Sequence, residues 1–160
     1  MAYSKYFPER TLTFSQTAAR RPEISNELPA SLIPNAQRLS NKLQRIQEEI
    51  NERYPGNWIF VSSGYRSPEL NKAVGGSPTS AHKLALAADI TAANVPLIAL
   101  IEIIREVTPD YDQIIYEFGK WVHLGFVTED KKPRKQLLTA KKVRTVTGEF
   151  RTVYFAGIQE

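Results

Sequence analysis

Gln113-Ile-Ile-Tyr-Glu-Phe-Gly-Lys-Trp-Val-His-Leu-Gly-Phe-Val127 holds two runs of β-branched and aromatic residues around one glycine. The pattern predicts strands over Gln113 to Phe118 and Trp121 to Val127, joined in a hairpin at Gly119-Lys120. In the second strand, alternation puts Val122, Leu124 and Phe126 on one face and Trp121, His123 and Gly125 on the other. The first set is the obvious core face. His123 therefore points to a surface or a cleft, and Gly125 beside it leaves room for another group to approach.

Working outward, Ala36, Leu39, Leu43, Ile46 and Ile50 recur at steps of three and four. They mark one face of an amphipathic helix from Ser31 to Arg53, stopped by Pro55-Gly56. Trp58 to Ser63 reads as a strand. Gly64 to Ser80 reads as loop, with a helical turn near Glu69 to Val74. Asp89 to Thr91 reads as a second short strand. Asn94 is expected to cap a helix with Pro96 in its first turn, running to about Val107 and ended by Thr108-Pro109. A last pair of strands, Val143 to Thr147 and Phe150 to Phe155, flanks Gly148. Helix, strand, loop, strand, helix, then hairpins: the order predicts an α+β fold with a small, largely antiparallel sheet and flanking helices.

The chain has 160 residues, 42 % of them apolar. That suits one domain over 1–160. Within it, residues 1–30 are expected to be an irregular lead-in with a short helix around Ser15 to Arg20. Residues 128–160 are expected to be a C-terminal β-hairpin extension. Val95 to Val107 is the longest apolar-rich stretch, and Pro96, Glu102 and Arg105 interrupt it, so no membrane span is expected. The N-terminus has no apolar core of a secretory signal. With no cysteine, disulfides, thiolate metal knuckles and a thiol nucleophile are excluded. The net charge of +4 favours anionic surroundings. No basic helix or aromatic-basic platform supports nucleic-acid binding.

Only two histidines exist, His82 and His123. His82 lies in Ser80-Ala-His-Lys-Leu-Ala-Leu-Ala-Ala-Asp89, after a loop where no core demand explains an imidazole. Asp89 precedes Ile90 after a run of small residues, so its carboxylate is either paired or a ligand. Two imidazoles and one carboxylate form a standard protein set for catalytic zinc, with a fourth position for water. Such a metal polarises a carbonyl and acidifies water. A base is still needed, and Glu117 is the candidate, because it ends the strand paired with that of His123. Arg66, in Ser63-Gly-Tyr-Arg-Ser-Pro68, could hold a substrate carboxylate or a developing oxyanion.

Taken together, these motifs resemble the M15 family of zinc D,D-carboxypeptidases and related wall endopeptidases, above all the short versions among phage endolysins and tail proteins. Ser80-x-His82-x-x-x-x-Ala87-x-Asp89 looks like the segment that supplies the first two zinc ligands. Trp121-Val-His123 resembles the later segment that supplies the third. Ser63-Gly-Tyr-Arg66 resembles the upstream substrate motif, and Glu117 takes the place of the acid/base glutamate. The likeness runs from about Phe14 to Val127. It implies the α+β fold shared by these peptidases and the hedgehog signalling domain. It also implies one zinc ion on His82, Asp89 and His123, catalysis by Glu117 and Arg66, and substrate binding by Arg66, Ser80 and Trp121.

Two departures stand out. Ala85 replaces the family's usual Gly. The spacing from Glu117 to His123 is longer than in some branches. The implied activity is hydrolysis of an amide bond in a peptidoglycan stem peptide, at a D-Ala-D-Ala end or at an internal L-Ala–D-Glu or cross-link bond. The expected protein is a monomer that reaches the wall after holin-type release or virion delivery. The competing expectation is a non-catalytic zinc module that binds wall or serves in a virion.

Overall fold

The computed structural model describes residues 1–160. Helices α1 (Glu9–Thr13) and α2 (Gln16–Arg20) come first, then a 3-10 turn at Ala30–Leu32 that leads into α3 (Ile33–Arg53). Strand β1 (Ile59–Ser63), helix α4 (Pro68–Ala73), a second 3-10 turn (Ala81–Leu84) and β2 (Ala87–Ala92) follow. The chain closes with α5 (Leu97–Val107), β3 (Gln113–Glu117), β4 (Trp121–Gly125), β5 (Gln136–Arg144) and β6 (Phe150–Ala156). All six strands join one sheet in the order β1-β2-β4-β3-β5-β6. Every neighbouring pair is antiparallel except β3 and β5, which run parallel. The α+β class with a largely antiparallel sheet is thus the observed one.

One face of this sheet is the core. Ala88, Ile90, Ile114, Val122 and Leu124 pack against the apolar faces of α3 and α5 in a single buried cluster. Each fully buried Leu or Ile there contributes about 1.5–3 kcal/mol. The predicted α3 face is buried as expected, and two polar residues share it. Ser40 donates to the Phe7 carbonyl at 2.6 Å. The Gln47 amide donates to the Asn57 carbonyl at 2.9 Å and accepts from the Ile59 N–H at 2.8 Å. Gln47 thereby fixes the end of α3 to the start of β1.

Four expectations need correction. Residues 1–30 are not simply irregular. Helix α2 lies where a short helix was expected, and Ser15 caps it by accepting from the Ala18 N–H. Helix α1 stands before it, and its Leu12 is buried. The side chain of Asn26 then bonds Thr13, Tyr65 and Ser67, so this segment braces the loop after β1. Asn94 does not cap α5. It sits at φ 58°, its amide bonds Asn57, and Pro96 occupies the N-cap position. The Asn94 backbone makes a left-handed turn between β2 and α5, a conformation Asn tolerates well. The β3–β4 turn centres one residue earlier than expected. Phe118 and Gly119 have φ 56° and 67°, and the Lys120 N–H donates to the Glu117 carbonyl at 2.9 Å. Positive φ at both central residues is the geometry that matches the twist of a two-residue hairpin. Lastly, β5 begins at Gln136, well before Val143, because it pairs with β3 over Gln136 to Ala140. No helix is long and apolar enough to cross a membrane.

Candidate metal centre

The register of the sheet gathers the site on the face opposite the core. Asp89 of β2 pairs with His123 of β4, which pairs with Ile115 of β3. Two residues on, Trp121 pairs with Glu117, and Glu117 with Ala140 of β5. Side chains two apart on a strand share a face. Asp89, His123, Glu117 and Trp121 therefore look the same way, into a cleft of about 720 Å³.

His82 enters from the 3-10 turn above β2. The Ser80 side chain caps that turn by accepting from the His82 N–H at 3.2 Å. Ala85 ends it at φ 56°, ψ 33°. The backbone there adopts the left-handed conformation that a glycine takes without strain. His82 Nδ1 lies 2.7 Å from the Gly64 carbonyl. A proton on Nδ1 makes that bond, and Nε2 is left as a lone-pair donor. Gly64 is required for this. A Cβ there would stand 2.3 Å from the Leu12 carbonyl oxygen, so only glycine lets the chain pass α1 and present its own carbonyl to the imidazole.

Asp89 Oδ1 lies 3.3 Å from His82 Nε2 and 3.0 Å from His123 Nδ1. One donor atom from each of the three residues falls within 4.8 Å of the others, and all three residues are buried. Burial lowers the His82 pKa, against the pull of Asp89. Burial would raise that of Asp89, but the neighbouring His123 and His82 imidazoles outweigh it and hold the carboxyl well below its usual range. Two imidazoles around a carboxylate, with one imidazole braced by a carbonyl, are the donor set and support that a divalent transition metal needs.

Arg66 lies beside the cluster. Its guanidinium donates to Ser63 Oγ at 3.0 Å, Asn71 Oδ1 at 3.2 Å and Asp89 Oδ2 at 3.4 Å. Arg66 therefore braces the carboxylate through the oxygen that faces away from the imidazoles. Burial lowers its pKa, opposed by the charges of Asp89 and Glu117. The Glu117 carboxylate has no hydrogen-bond partner within the chain. Burial raises its pKa, His123, Arg66 and Lys142 oppose this, and the charge of Asp89 adds to it. A carboxyl so placed accepts a proton more readily than an exposed glutamate does. Trp121 lines the cleft edge-on to Phe118, with ring centroids 5.6 Å apart, and its buried indole N–H has no partner. Ser80 also lines the cleft, though its visible bond is the cap.

Sequence reasoning found the cluster but missed two kinds of neighbour. Asn71, almost fully buried, holds Arg66 and also donates to the Ser77 carbonyl at 2.9 Å. Lys142, Thr152 and Tyr154 of the C-terminal hairpin line the far wall of the cleft, and only the parallel β3–β5 pairing reveals them. Gly125 was expected to admit another group. A Cβ there would meet His123 Nε2 at 3.6 Å and Ala81 Cβ at 4.0 Å, which is ordinary contact, so the neighbour is the chain's own turn.

A search of curated proteins finds no match to the chain. The family model described as Peptidase M15 matches residues 6–125, a span that includes the His82, Asp89 and His123 cluster, Arg66 and Glu117 and ends at the last residue of β4. With three quarters of its length matched and the donor cluster inside the match, the chain belongs to the Peptidase M15 family.

Proposed function

We propose that the protein is a zinc-dependent peptidase that hydrolyses an amide bond in the stem peptide of peptidoglycan. The buried His82–Asp89–His123 cluster at the floor of an open cleft, with Glu117 on the same sheet face, carries this reading. A divalent metal held by His82 Nε2, Asp89 Oδ1 and His123 Nδ1 would polarise the scissile carbonyl and make water acidic enough to attack near neutral pH. Glu117 accepts the proton of the attacking water and hands it to the leaving amine. Its raised pKa suits both steps. Arg66, beyond bracing Asp89, directs the rest of its fork to the oxygen that gains charge. Trp121 lines the cleft as an aromatic wall for the substrate, and Ser80 offers a hydroxyl at its rim.

Sequence motifs support the wall substrate, as does the net charge of +4, which favours an anionic polymer. The bond cut is a terminal D-Ala-D-Ala or an internal L-Ala–D-Glu or cross-link bond. In either case the protein works as a monomer on wall reached by lysis-type release or virion delivery. Purified protein should hold one zinc per chain and release peptide fragments from peptidoglycan. Glu117→Gln should keep the zinc and the ligand but lose turnover. Zinc and wall binding without hydrolysis in the wild type would point instead to a non-catalytic module.

A further inference from the structure

Residues 126–160 lie beyond the family match, yet β5 and β6 extend the sheet on the side of the metal centre. Ala140 pairs with Glu117 on one side and Tyr154 on the other, and Lys142 pairs with Thr152. By alternation, Lys142 and Tyr154 rise from the same face as Glu117. The hairpin is therefore a wall of the cleft rather than an appendage.

The three cations that line the cleft differ in how they are engaged. Arg66 is tied to Asp89. Arg134 forks onto Asp112, with its terminal nitrogen at 2.7 Å. Lys142 pairs with no carboxylate. Its Nζ lies 3.0 Å from the Thr152 hydroxyl and 5.2 Å from the centre of the Phe118 ring. Both contacts engage the ammonium itself, hold it on the cleft wall and leave it donors to spare. The Phe118 ring belongs to the turn that follows Glu117, so this charge, paired with no carboxylate, stands near the proposed base. An ammonium with spare donors, beside a hydroxyl that can also donate, suits a carboxylate.

We propose that Lys142, seated by Phe118 and Thr152, binds a free carboxylate of the peptide substrate near the scissile bond, and that the C-terminal hairpin so makes the enzyme selective for acidic peptides. This rests on the peptidase reading above. Stem peptides provide such a group in the D-glutamyl carboxylate, whose carboxamide form has the same shape without the charge.

The test is calorimetric binding of that pair of peptides to zinc-loaded Glu117→Gln protein, alone and combined with Lys142→Met or Lys142→Arg. Turnover of both peptides by wild type is measured in parallel. The carboxylate form should bind about tenfold tighter than the carboxamide. Lys142→Met should bring the ratio close to one, Lys142→Arg should keep most of it, and added salt should shrink it. Equal affinities in the parent, no binding of the carboxylate form, or a preference that survives Lys142→Met would overturn the proposal. If binding shows the preference but wild type cuts neither peptide, the hydrolytic reading fails while the carboxylate site stands.

Discussion

Ala85 shows how one residue can carry opposed terms. Its φ of 56° is left-handed, which costs a non-glycine residue about 1 kcal/mol. Its methyl is buried in the core cluster, which returns about 0.8 kcal/mol. Ala85→Gly should therefore change stability by less than about 0.5 kcal/mol in urea unfolding. Ala85→Val should lose about 2 kcal/mol or more, since a branched residue fits that conformation poorly. The proposed base makes a kinetic prediction. Glu117→Gln should lower kcat by about a hundredfold to ten thousandfold, with zinc content by atomic absorption unchanged. Loss of the metal along with activity would instead make Glu117 part of the metal's support. These residues were legible in the sequence because the chain has only two histidines and each lies in an unusual setting. The conformation of Ala85 was not, because a φ angle depends on how the turn closes onto β2.

Among the elements, α3 and the strands around the site were readable from periodicity, and each was found within a few residues of its expected bounds. Leu43 is fully buried on the predicted face. Leu43→Ala should destabilise by about 2–5 kcal/mol in denaturant unfolding, and a loss below 1 kcal/mol would mean that α3 does not pack as described. Helix α1 escaped notice because five residues after a proline carry too little pattern. Its role emerges only in three dimensions, where its Leu12 carbonyl accepts from the Tyr65 N–H at 2.7 Å and forces glycine at position 64. The parallel β3–β5 pairing was hidden for another reason. Gln136-Leu-Leu-Thr-Ala140 shows no alternation, and its partner lies more than twenty residues earlier. Hairpins announce themselves in a sequence, whereas long-range parallel pairs do not.

The whole molecule is a sheet with two jobs. One face is filled by α3 and α5 and supplies stability. The other is left open and carries the chemistry, with its far wall added by a hairpin outside the family match. The loop that enters this hairpin is anchored by Arg134 on Asp112. Burial would raise the Asp112 pKa, but the Arg134 bonds and charge outweigh it and hold it below the usual range. A carboxyl lowered in the folded state adds stability above its unfolded pKa of about 3.9 and loses it as the pH falls through the folded value. Wild type should therefore be more stable than Arg134→Ala at neutral pH, and the gap should close under acid. Thermal midpoints at a series of pH values would show it, and a gap independent of pH would remove this pair as its cause.

Mass spectrometry of peptidoglycan digested by the protein, before chelation, after chelation and after zinc is restored, bears most directly on the metal centre. A zinc-dependent peptidase releases stem-peptide fragments in the first and third digests and none in the second. Undiminished fragments after full chelation, or none in any digest, would contradict it.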